Sequence, residues 1–498
     1  MSFYIAAMKV GTGPSATLGI NKIACPTRTW ARIVFCSILF VALLLCAIGP
    51  TGAALSAAPT GANVLAPAPP MGWNSWDGFG ATIGEAQVRA TADAFAKNLK
   101  PSGWQYVVLD MGWYLLNPTT ESNKELTGFS MDGYGRFTPA ANRFPSAAPP
   151  ATAPDSAANF KPLVDYLHSL GLKFGIHILR GIPRQAVDAN LPIANSPYHA
   201  RDAANTSDTC VWNTYTYGLD ASKPAAQAYY DSVAALYASW GVDFIKVDCI
   251  SSGPYRGDEI RMLSTAIAKS GRPMVLSLSP GPAPLEKIDE MRQYAQMWRI
   301  SNDIWDLWHS DSPYPQGVGD QFANAAKWAG LAQPGHWPDA DMLPLGRLGP
   351  APGWGQPRDT RLTHDEQRTL LTLWCIFHSP LMLGGDITQL DPWTLSLLTN
   401  PEVIAVDQHA GTNAVAYDDG KLTVWTAKAG AWHDVAVFNR SDAAQDVDLS
   451  WSQLGLPQGD APVRDLWERK DLGPMPGVRV HLAPHASVLY GVGLVAAK

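Results

Sequence analysis

Short apolar segments alternate with helix-forming segments along most of this 498-residue chain, and this order strongly constrains its fold. Segments bounded by Gly, Ser and Pro are predicted strands: Met71–Trp76, Tyr106–Trp113, Lys173–Leu179, Phe244–Asp248, Pro273–Ser279, Met297–Asp303, His336–Asp341 and Pro380–Asp386. Segments with helical periodicity lie between them: Ile83–Leu99, Phe160–Leu170, Ala225–Trp240, Gly257–Lys269, Leu285–Tyr294 and His364–Phe377. Eight strands, most followed by a helix, predict an α/β fold, the (β/α)₈ TIM barrel.

The pattern changes after Gln408. Segments of period two, separated by Gly, Asp and Pro, predict a C-terminal antiparallel β-sandwich: Leu422–Ala427, His433–Phe438, Val447–Leu449, Val478–Leu482 and Ser487–Tyr490. The predicted domains are a targeting segment over residues 1–58, a catalytic barrel over 59–408 and a sandwich over 409–498.

The N-terminal segment has the order of a secretory signal peptide: a basic stretch, the apolar run Ile33–Ile48 and then small residues. The run has about 16 residues, which is short for a membrane span. The alternative is an uncleaved N-terminal anchor, because the region before the run is unusually long. We expect a secreted or periplasmic protein with no stable membrane insertion after cleavage.

Three cysteines follow the signal segment, and an odd number in an exported chain suggests one disulfide and one free thiol. Cys375 lies on an apolar helical face and is predicted to be a buried small hydrophobe.

The net charge is −7 without a basic stripe, so no nucleic-acid partner is expected. We identify no phosphate-binding glycine loop and no metal-ligand cluster, so we predict neither a cofactor nor a metal. The oligomeric state stays open.

Two carboxylates end predicted strands, Asp248 after Asp243–Val247 and Asp303 after Met297–Asn302. A carboxylate at the carboxyl end of a barrel strand points into the mouth, where these folds carry out chemistry. Two carboxylates that face each other across a bound sugar are what a glycosidase requires. Lys246, on the same strand face as Asp248, would keep Asp248 ionised, and Trp298, Ile304 and Trp305 could provide a partly apolar site for Asp303.

Six collinear motifs resemble the signatures of glycoside hydrolase family 27, which contains α-galactosidases and α-N-acetylgalactosaminidases. These motifs are Pro70–Phe79, Lys246–Asp248, Trp298–Ile304, Gly335–Leu343, Ser379–Asp386 and Asn400–Gln408. The resemblance implies a retaining mechanism with Asp248 as nucleophile and Asp303 as acid/base. It also implies an oligosaccharide or glycoside substrate.

The resemblance implies further site residues. Lys246 and Arg299 are expected to bind sugar hydroxyls, while Trp73, Asp110 and Asp341 match positions that line the sugar site. Asp386 could serve the site or cap its own loop. Family members often bridge cysteines at the places of Cys210 and Cys249, so a disulfide between them is expected.

Three departures from the family pattern affect the sugar pocket. Met111 follows Asp110 where family α-galactosidases usually have a second aspartate that grips the axial hydroxyl and the O6 side of galactose. The third strand ends in His177-Ile-Leu-Arg180 instead of an aromatic and an acidic residue, and the fifth leads into Ser279-Pro-Gly-Pro282. We expect His177, Arg180 and Arg184 to supply polar contacts at the rim; alternatively they pair with acidic loop residues.

The leading interpretation is an exported retaining α-galactosidase. The same chemistry on a β-L-arabinopyranoside or an α-glucoside is an alternative, because L-arabinopyranose lacks the C6 hydroxymethyl group of galactose. A catalytically silent sugar-binding homologue is a further alternative, and retention of Asp248, Asp303, Lys246 and Arg299 argues against it.

Overall fold

Eight parallel strands form one continuous curled sheet in the computed structural model, which describes residues 64–119, 128–154, 156–409 and 411–493. The strands are β1 Met71–Asn74, β2 Tyr106–Leu109, β3 Lys173–Leu179, β4 Phe244–Asp248, β5 Val275–Leu278, β6 Met297–Arg299, β7 Trp337–Asp339 and β8 Leu381–Leu383. Their order is β7-β6-β5-β4-β3-β2-β1-β8. The parallel bridge between Leu343 and Leu383 joins the segment after β7 to β8, and the sheet is therefore the predicted TIM barrel.

Helices follow most of the strands. They are α1 Trp76–Phe79, α2 Glu85–Asn98, α3 Lys161–Ser169, α4 Arg184–Asp188, α5 Ala200–Ala203, α6 Pro224–Trp240, α7 Gly257–Ser270, α8 Ile288–Tyr294, α9 Gln321–Lys327, α10 His364–Phe377, α11 Pro392–Leu398 and α12 Pro401–Gln408. Helix α10 has the bounds that the sequence predicts. Thr363 accepts a hydrogen bond from the Glu366 backbone N–H, and the Glu366 carboxylate accepts one from the Thr363 N–H, which closes a capping box.

Several barrel strands end earlier than the sequence predicts, and this shortening creates the mouth of the barrel. Strand β2 ends at Leu109, because Asp110 and Met111 already belong to a turn in which Gly112 has a φ of 101°. Strand β6 ends at Arg299, four residues before Asp303. The apolar pattern continues past each strand because the residues beyond it stay buried in the walls of the mouth.

Two small sheets lie outside the barrel sheet. Ile182–Pro183, Thr216–Leu219 and Ala204–Thr209 form one, and Arg347–Leu348 and Arg358–Asp359 form the other. The 3₁₀ turns are Lys100–Ser102, Pro145–Ala147, Leu285–Lys287, Ile387–Gln389 and Trp451–Leu454.

The C-terminal part is the predicted antiparallel sandwich. Its strands are β9 Asn413–Asp418, β10 Leu422–Ala429, β11 Trp432–Asn439, β12 Gln445–Ser450, β13 Ala461–Asp465, β14 Lys470–Met475, β15 Gly477–Leu482 and β16 Ser487–Gly493. One sheet has the order β9-β10-β11-β16-β13-β14, and the other pairs β12 with β15.

The period of two in β11 explains how the sandwich attaches to the barrel. Val435 and Val437 belong to the core between the two sheets, whereas Ala436 and Phe438 belong to the main core of the barrel. The indole of Trp467 donates a hydrogen bond to Thr372 Oγ1 on α10 at 2.9 Å. Both faces of β11 are therefore buried, one within the sandwich and one against the barrel, and the sandwich braces the barrel.

The predicted signal peptide, residues 1–58, lies outside the described residues. Within the described ranges, no helix has the length and apolar character needed to cross a membrane. Cys375 is a free and buried thiol, as predicted.

Candidate active site

The carboxyl ends of the barrel strands surround a cavity of about 340 Å³. Seven residues that the sequence singled out line it together: Asp110, Met111, Lys246, Asp248, Arg299, Asp303 and Asp341. They lie on β4, at the end of β6 or in the segments that follow β2, β6 and β7, and they meet because parallel strands direct their carboxyl ends to one edge. The volume is in the range of small-molecule sites.

Asp248 ends β4, and its two oxygens have different surroundings. Oδ2 lies 2.8 Å from His177 Nε2, whereas the buried Oδ1 has no hydrogen-bond partner among the described residues. Burial alone would raise the pKa of Asp248, but the Lys246 ammonium and His177 lower it below its usual range. The side chain is therefore an ionised carboxylate, which is the state that a nucleophile requires.

Lys246 and Asp110 form a partly buried ion pair beside Asp248. Lys246 Nζ lies 2.8 Å from Asp110 Oδ2, and the same oxygen accepts a hydrogen bond from the Asn74 amide at 2.7 Å. Burial alone would raise the pKa of Asp110, but Lys246 lowers it. Both groups are thus charged, and the Lys246 ammonium also lowers the pKa of Asp248.

Met111 occupies the wall next to Asp110 and is buried. Its backbone N–H donates to Asp110 Oδ1 at 2.7 Å, and its sulfur accepts a weak hydrogen bond from the buried Asn213 amide at 3.5 Å. The thioether is therefore held in place where family α-galactosidases usually have a second carboxylate.

Arg299 links Asp303 to Asp341 on the opposite side of the cavity. One of its terminal nitrogens lies 3.0 Å from Asp303 Oδ1, and the other lies 2.8 Å from Asp341 Oδ1. The Asp303 side chain is 39% exposed, compared with 13% for Asp248. Asp303 is therefore the more solvent-exposed of these two carboxylates.

Asp341 is held from several directions. Its Oδ2 accepts a hydrogen bond from the Ile304 N–H at 2.8 Å, and its backbone has a φ of 87°. Burial and the neighbouring carboxylates of Asp303 and Asp339 raise the pKa of Asp341, while Arg299 opposes the shift. A non-glycine residue in this backbone region costs free energy and is found where surrounding contacts over-determine it.

The surroundings of Asp303 differ from the apolar site that the sequence suggested. Ile304 and Trp305 line the cavity, but Trp298 is fully buried and does not line it. The closest polar partner of the Asp303 carboxylate is the Arg299 guanidinium.

Three predicted sugar-binding residues need correction, because the structure places them outside the cavity lining. Trp73 lies within β1 and not beyond its end. It is therefore fully buried, and its indole N–H donates a hydrogen bond to the Gly385 carbonyl at 2.7 Å. His177 is buried against Asp248 and is no rim donor. Arg180 is buried between Asp208 and Glu259, at 2.7 and 2.6 Å.

Arg180 therefore pairs with acidic residues, as the alternative for the rim has it, although Asp208 lies in the strand Ala204–Thr209 and Glu259 in α7 and neither lies in a loop. Arg184 lies over the ring of Tyr217 at 4.6 Å. Asp386 caps its own loop, accepting hydrogen bonds from Thr388 and Gln389.

Several residues of the cavity wall were not found from the sequence: Trp76, Asp77, Trp212, Pro280, Asn302, Tyr314 and Met342. A signal existed for Trp76 and Asp77, because both lie in the Pro70–Phe79 motif just beyond β1. Trp212 follows Cys210, which forms a disulfide with Cys249 directly after Asp248. This bond ties the loop that carries Trp212 to the end of β4. We find no sequence signal for Tyr314.

The chain is similar to proteins of one family over most of its length. Residues 209–409 match the family described as "Alpha galactosidase A", and residues 419–492 match "Alpha galactosidase C-terminal beta sandwich domain". An α-galactosidase of Cyamopsis tetragonoloba is 31% identical over 440 residues, covering 86% of this chain and 87% of that protein. The α-galactosidase A of Cellvibrio japonicus is 28% identical over 402 residues, covering 78% and 80%.

A solved structure, that of a family 27 β-L-arabinopyranosidase from Geobacillus stearothermophilus, is 47% identical in sequence. It superimposes with a TM-score of 0.81 and covers 87% of this chain and 98% of that one. The motifs, the barrel with its sandwich and these similarities agree. The chain belongs to glycoside hydrolase family 27, the α-galactosidase-like family, and is a glycoside hydrolase.

Proposed function

We propose that this protein is an exported retaining glycosidase that hydrolyses terminal β-L-arabinopyranosides in preference to α-D-galactosides. The observation that carries the preference is the buried thioether of Met111, held by Asn213, where family α-galactosidases usually have a carboxylate. The 47% identity to a β-L-arabinopyranosidase supports it.

The physical reason lies in the difference between the two sugars. L-Arabinopyranose lacks the hydroxymethyl group of galactose, and the two glycosides otherwise share the configuration of their ring hydroxyls. A galactose O6 buried against a thioether would lose hydrogen bonds that it makes to water, at a cost of about 1–3 kcal/mol. Such a cost changes the preference by about ten- to hundredfold.

In the proposed first step, a carboxylate oxygen of Asp248 attacks the anomeric carbon while Asp303 donates its proton to the glycosidic oxygen. The glycosidic bond breaks, the aglycone leaves as an alcohol, and a glycosyl ester of Asp248 forms. The partly buried ion pair of Lys246 with Asp110 supplies charged groups for sugar hydroxyls beside the nucleophile.

In the second step, the Asp303 carboxylate takes a proton from water, and the oxygen of this water attacks the anomeric carbon. The bond to Asp248 breaks, which releases the sugar with its original anomeric configuration and restores both carboxyl groups. The exposure of Asp303 supports this role, because both the leaving group and the water reach the reaction from the mouth.

A panel of p-nitrophenyl glycosides tests the proposal. We expect kcat/KM for the β-L-arabinopyranoside to exceed that for the α-D-galactopyranoside, and proton NMR of the first product to show retained configuration. A preference for the galactoside would instead favour the second candidate, an α-galactosidase, which the relatives of that name at 26–31% identity support. Turnover of neither substrate nor of an α-glucoside would favour a silent sugar-binding protein.

Export is supported by the N-terminal sequence pattern and by the Cys210–Cys249 disulfide, because such bonds persist in oxidising compartments. Sequencing the N-terminus of the protein recovered from its native host tests this part. A start at Met1 in a cytosolic fraction would contradict it.

A further inference from the structure

Asp77 is a carboxyl group in the cavity wall that the mechanism does not use. It lies in α1, just beyond β1, and it is 1% exposed. Among the described residues, its buried Oδ2 has no hydrogen-bond partner. The carboxyl fits only because residue 384 is glycine, since a Cβ at Gly384 would collide with this oxygen.

Backbone N–H groups of the segment that begins at Gly384 already have other partners. The Gly384 N–H donates to the Leu343 carbonyl at 3.0 Å, and the Asp386 N–H donates to the Arg347 carbonyl at 2.8 Å. Buried carboxyl groups are normally satisfied, and one left unsatisfied in a native fold requires an explanation.

Other carboxyl groups of the cavity contrast with Asp77. Asp110 has the Lys246 ammonium, Asp303 and Asp341 share the Arg299 guanidinium, and each of these contacts is 3.0 Å or shorter. No such ion pair is formed by Asp77 within the described ranges. Among the described residues, Asp77 is thus a carboxyl of the cavity wall that forms no ion pair and whose Oδ2 accepts no hydrogen bond.

The charges that surround Asp77 disfavour a second negative charge. Burial is the largest cause that raises its pKa well above the usual range, and Asp341, Asp303 and Asp306 add to it, while Lys246 opposes. An uncharged carboxyl carries one O–H donor and a free acceptor. A sugar hydroxyl has the complementary pair, since it both accepts and donates.

We infer that Asp77 is a further specificity-determining residue, whose carboxyl forms a hydrogen bond with one hydroxyl group of the bound pyranose. The inference rests on the proposed function. The Asp77 carboxyl would add a contact with the sugar on the side of the pocket formed by β1 and β8. This side lies across the mouth from Asp248 on β4.

The test measures kcat/KM of the full-length protein for a p-nitrophenyl glycoside and for its 2-, 3- and 4-deoxy analogues. The series is built on whichever glycone the wild type hydrolyses. Asp77→Leu removes the polar group, Asp77→Asn keeps a donor and an acceptor in nearly the same shape, and Asp77→Ala serves if leucine is not accommodated. Each parent-to-deoxy ratio is divided by the wild-type ratio, so the intrinsic reactivity of the deoxy sugar cancels.

We expect Asp77→Leu to lower kcat/KM for the parent glycoside by about ten- to hundredfold. The loss should be absent for one deoxy analogue, the one that lacks the partner hydroxyl, and Asp77→Asn should keep most of the wild-type ratio. Asp386→Asn is the matched control: it alters a buried carboxyl near Gly384 that caps its own loop, so it should lower the unfolding temperature and leave every ratio unchanged.

Ratios in Asp77→Leu and Asp77→Ala that match the wild type for every analogue would overturn the inference. A second contrary result is a pH profile of kcat/KM that is displaced in the Asp77 variants while the parent-to-deoxy ratios stay unchanged. Asp77 would then affect the reaction only through the charge of neighbouring groups and not through a contact with the sugar. Failure of the proposed function is a separate result, because it shows in the wild type itself, either as a preference for the galactoside or as turnover of none of the glycosides.

Discussion

Met111→Asp is the substitution that most directly tests how this pocket selects its sugar. The Met111 side chain is 3% exposed and lies between Asp110 and the Asn213 amide. A carboxylate there offers a charged acceptor for the O6 hydroxyl of galactose, and a hydrogen bond to a charged group contributes about 1.5–3 kcal/mol. L-Arabinopyranose has no group at this position and gains nothing.

The structure also limits the gain. The new carboxylate would lie beside Asp110 and share the single ammonium of Lys246 with it, so part of the interaction energy offsets the repulsion between like charges. We therefore expect the lower end of the range, which is about a tenfold rise in the ratio of kcat/KM for the α-D-galactopyranoside to kcat/KM for the β-L-arabinopyranoside.

The assay is the initial rate with the two p-nitrophenyl glycosides across their KM values. Met111→Leu is the matched control, because it keeps an apolar side chain of similar volume and should leave the ratio unchanged. The reasoning is refuted if the wild type hydrolyses the galactoside efficiently and Met111→Asp reduces that activity. A ratio that moves equally in both variants would refute it as well.

Four further predictions follow from the site. Asp248→Ala should abolish turnover, and azide should partly restore it as a glycosyl azide of inverted configuration, seen by NMR; unchanged turnover would end the nucleophile assignment. Asp303→Ala should harm p-nitrophenyl or alkyl glycosides far more than the dinitrophenyl glycoside, which needs little protonation; equal losses would mean that Asp303 only shapes the site. His177→Leu removes a partner that lowers the pKa of Asp248, so the acid limb of the kcat/KM profile should move to higher pH, because the nucleophile must be ionised; an unmoved limb would contradict this. Arg180→Met leaves Glu259 buried without its cation and should lower the free energy of unfolding in urea by about 3–5 kcal/mol, with a loss below about 1 kcal/mol as the contrary result.

Local sequence patterns were sufficient for the architecture. Each barrel strand appears where a short apolar segment lies between Gly, Ser or Pro residues, and α10 has its predicted bounds because its capping signals lie within three residues of each other. The alternation along β11 likewise predicts a strand, although it does not say that one face packs on the barrel and the other within the sandwich.

The motifs also identified most of the groups that meet at the mouth. Asp110, Lys246, Asp248, Arg299 and Asp341 all line one cavity, because the residues at the carboxyl ends of parallel strands share one edge of the barrel. The positions of these side chains at the mouth can therefore be predicted from the strand pattern alone, even when the contacts between distant segments are not known.

The exact end of a strand, and the partner of a charged side chain, depended on tertiary structure. Trp73 and Trp76 look alike in the sequence, but only Trp76 lies beyond the end of β1 and reaches the cavity. Arg180 is at a strand end and could have been a rim donor, yet Asp208 and Glu259 arrive from separate segments and bury it. The Asp77 carboxyl has room in the wall only because residue 384, directly after β8, is glycine. Local sequence determines which groups a strand carries to the mouth, while their charge partners come from segments far along the chain, and only folding brings these segments together.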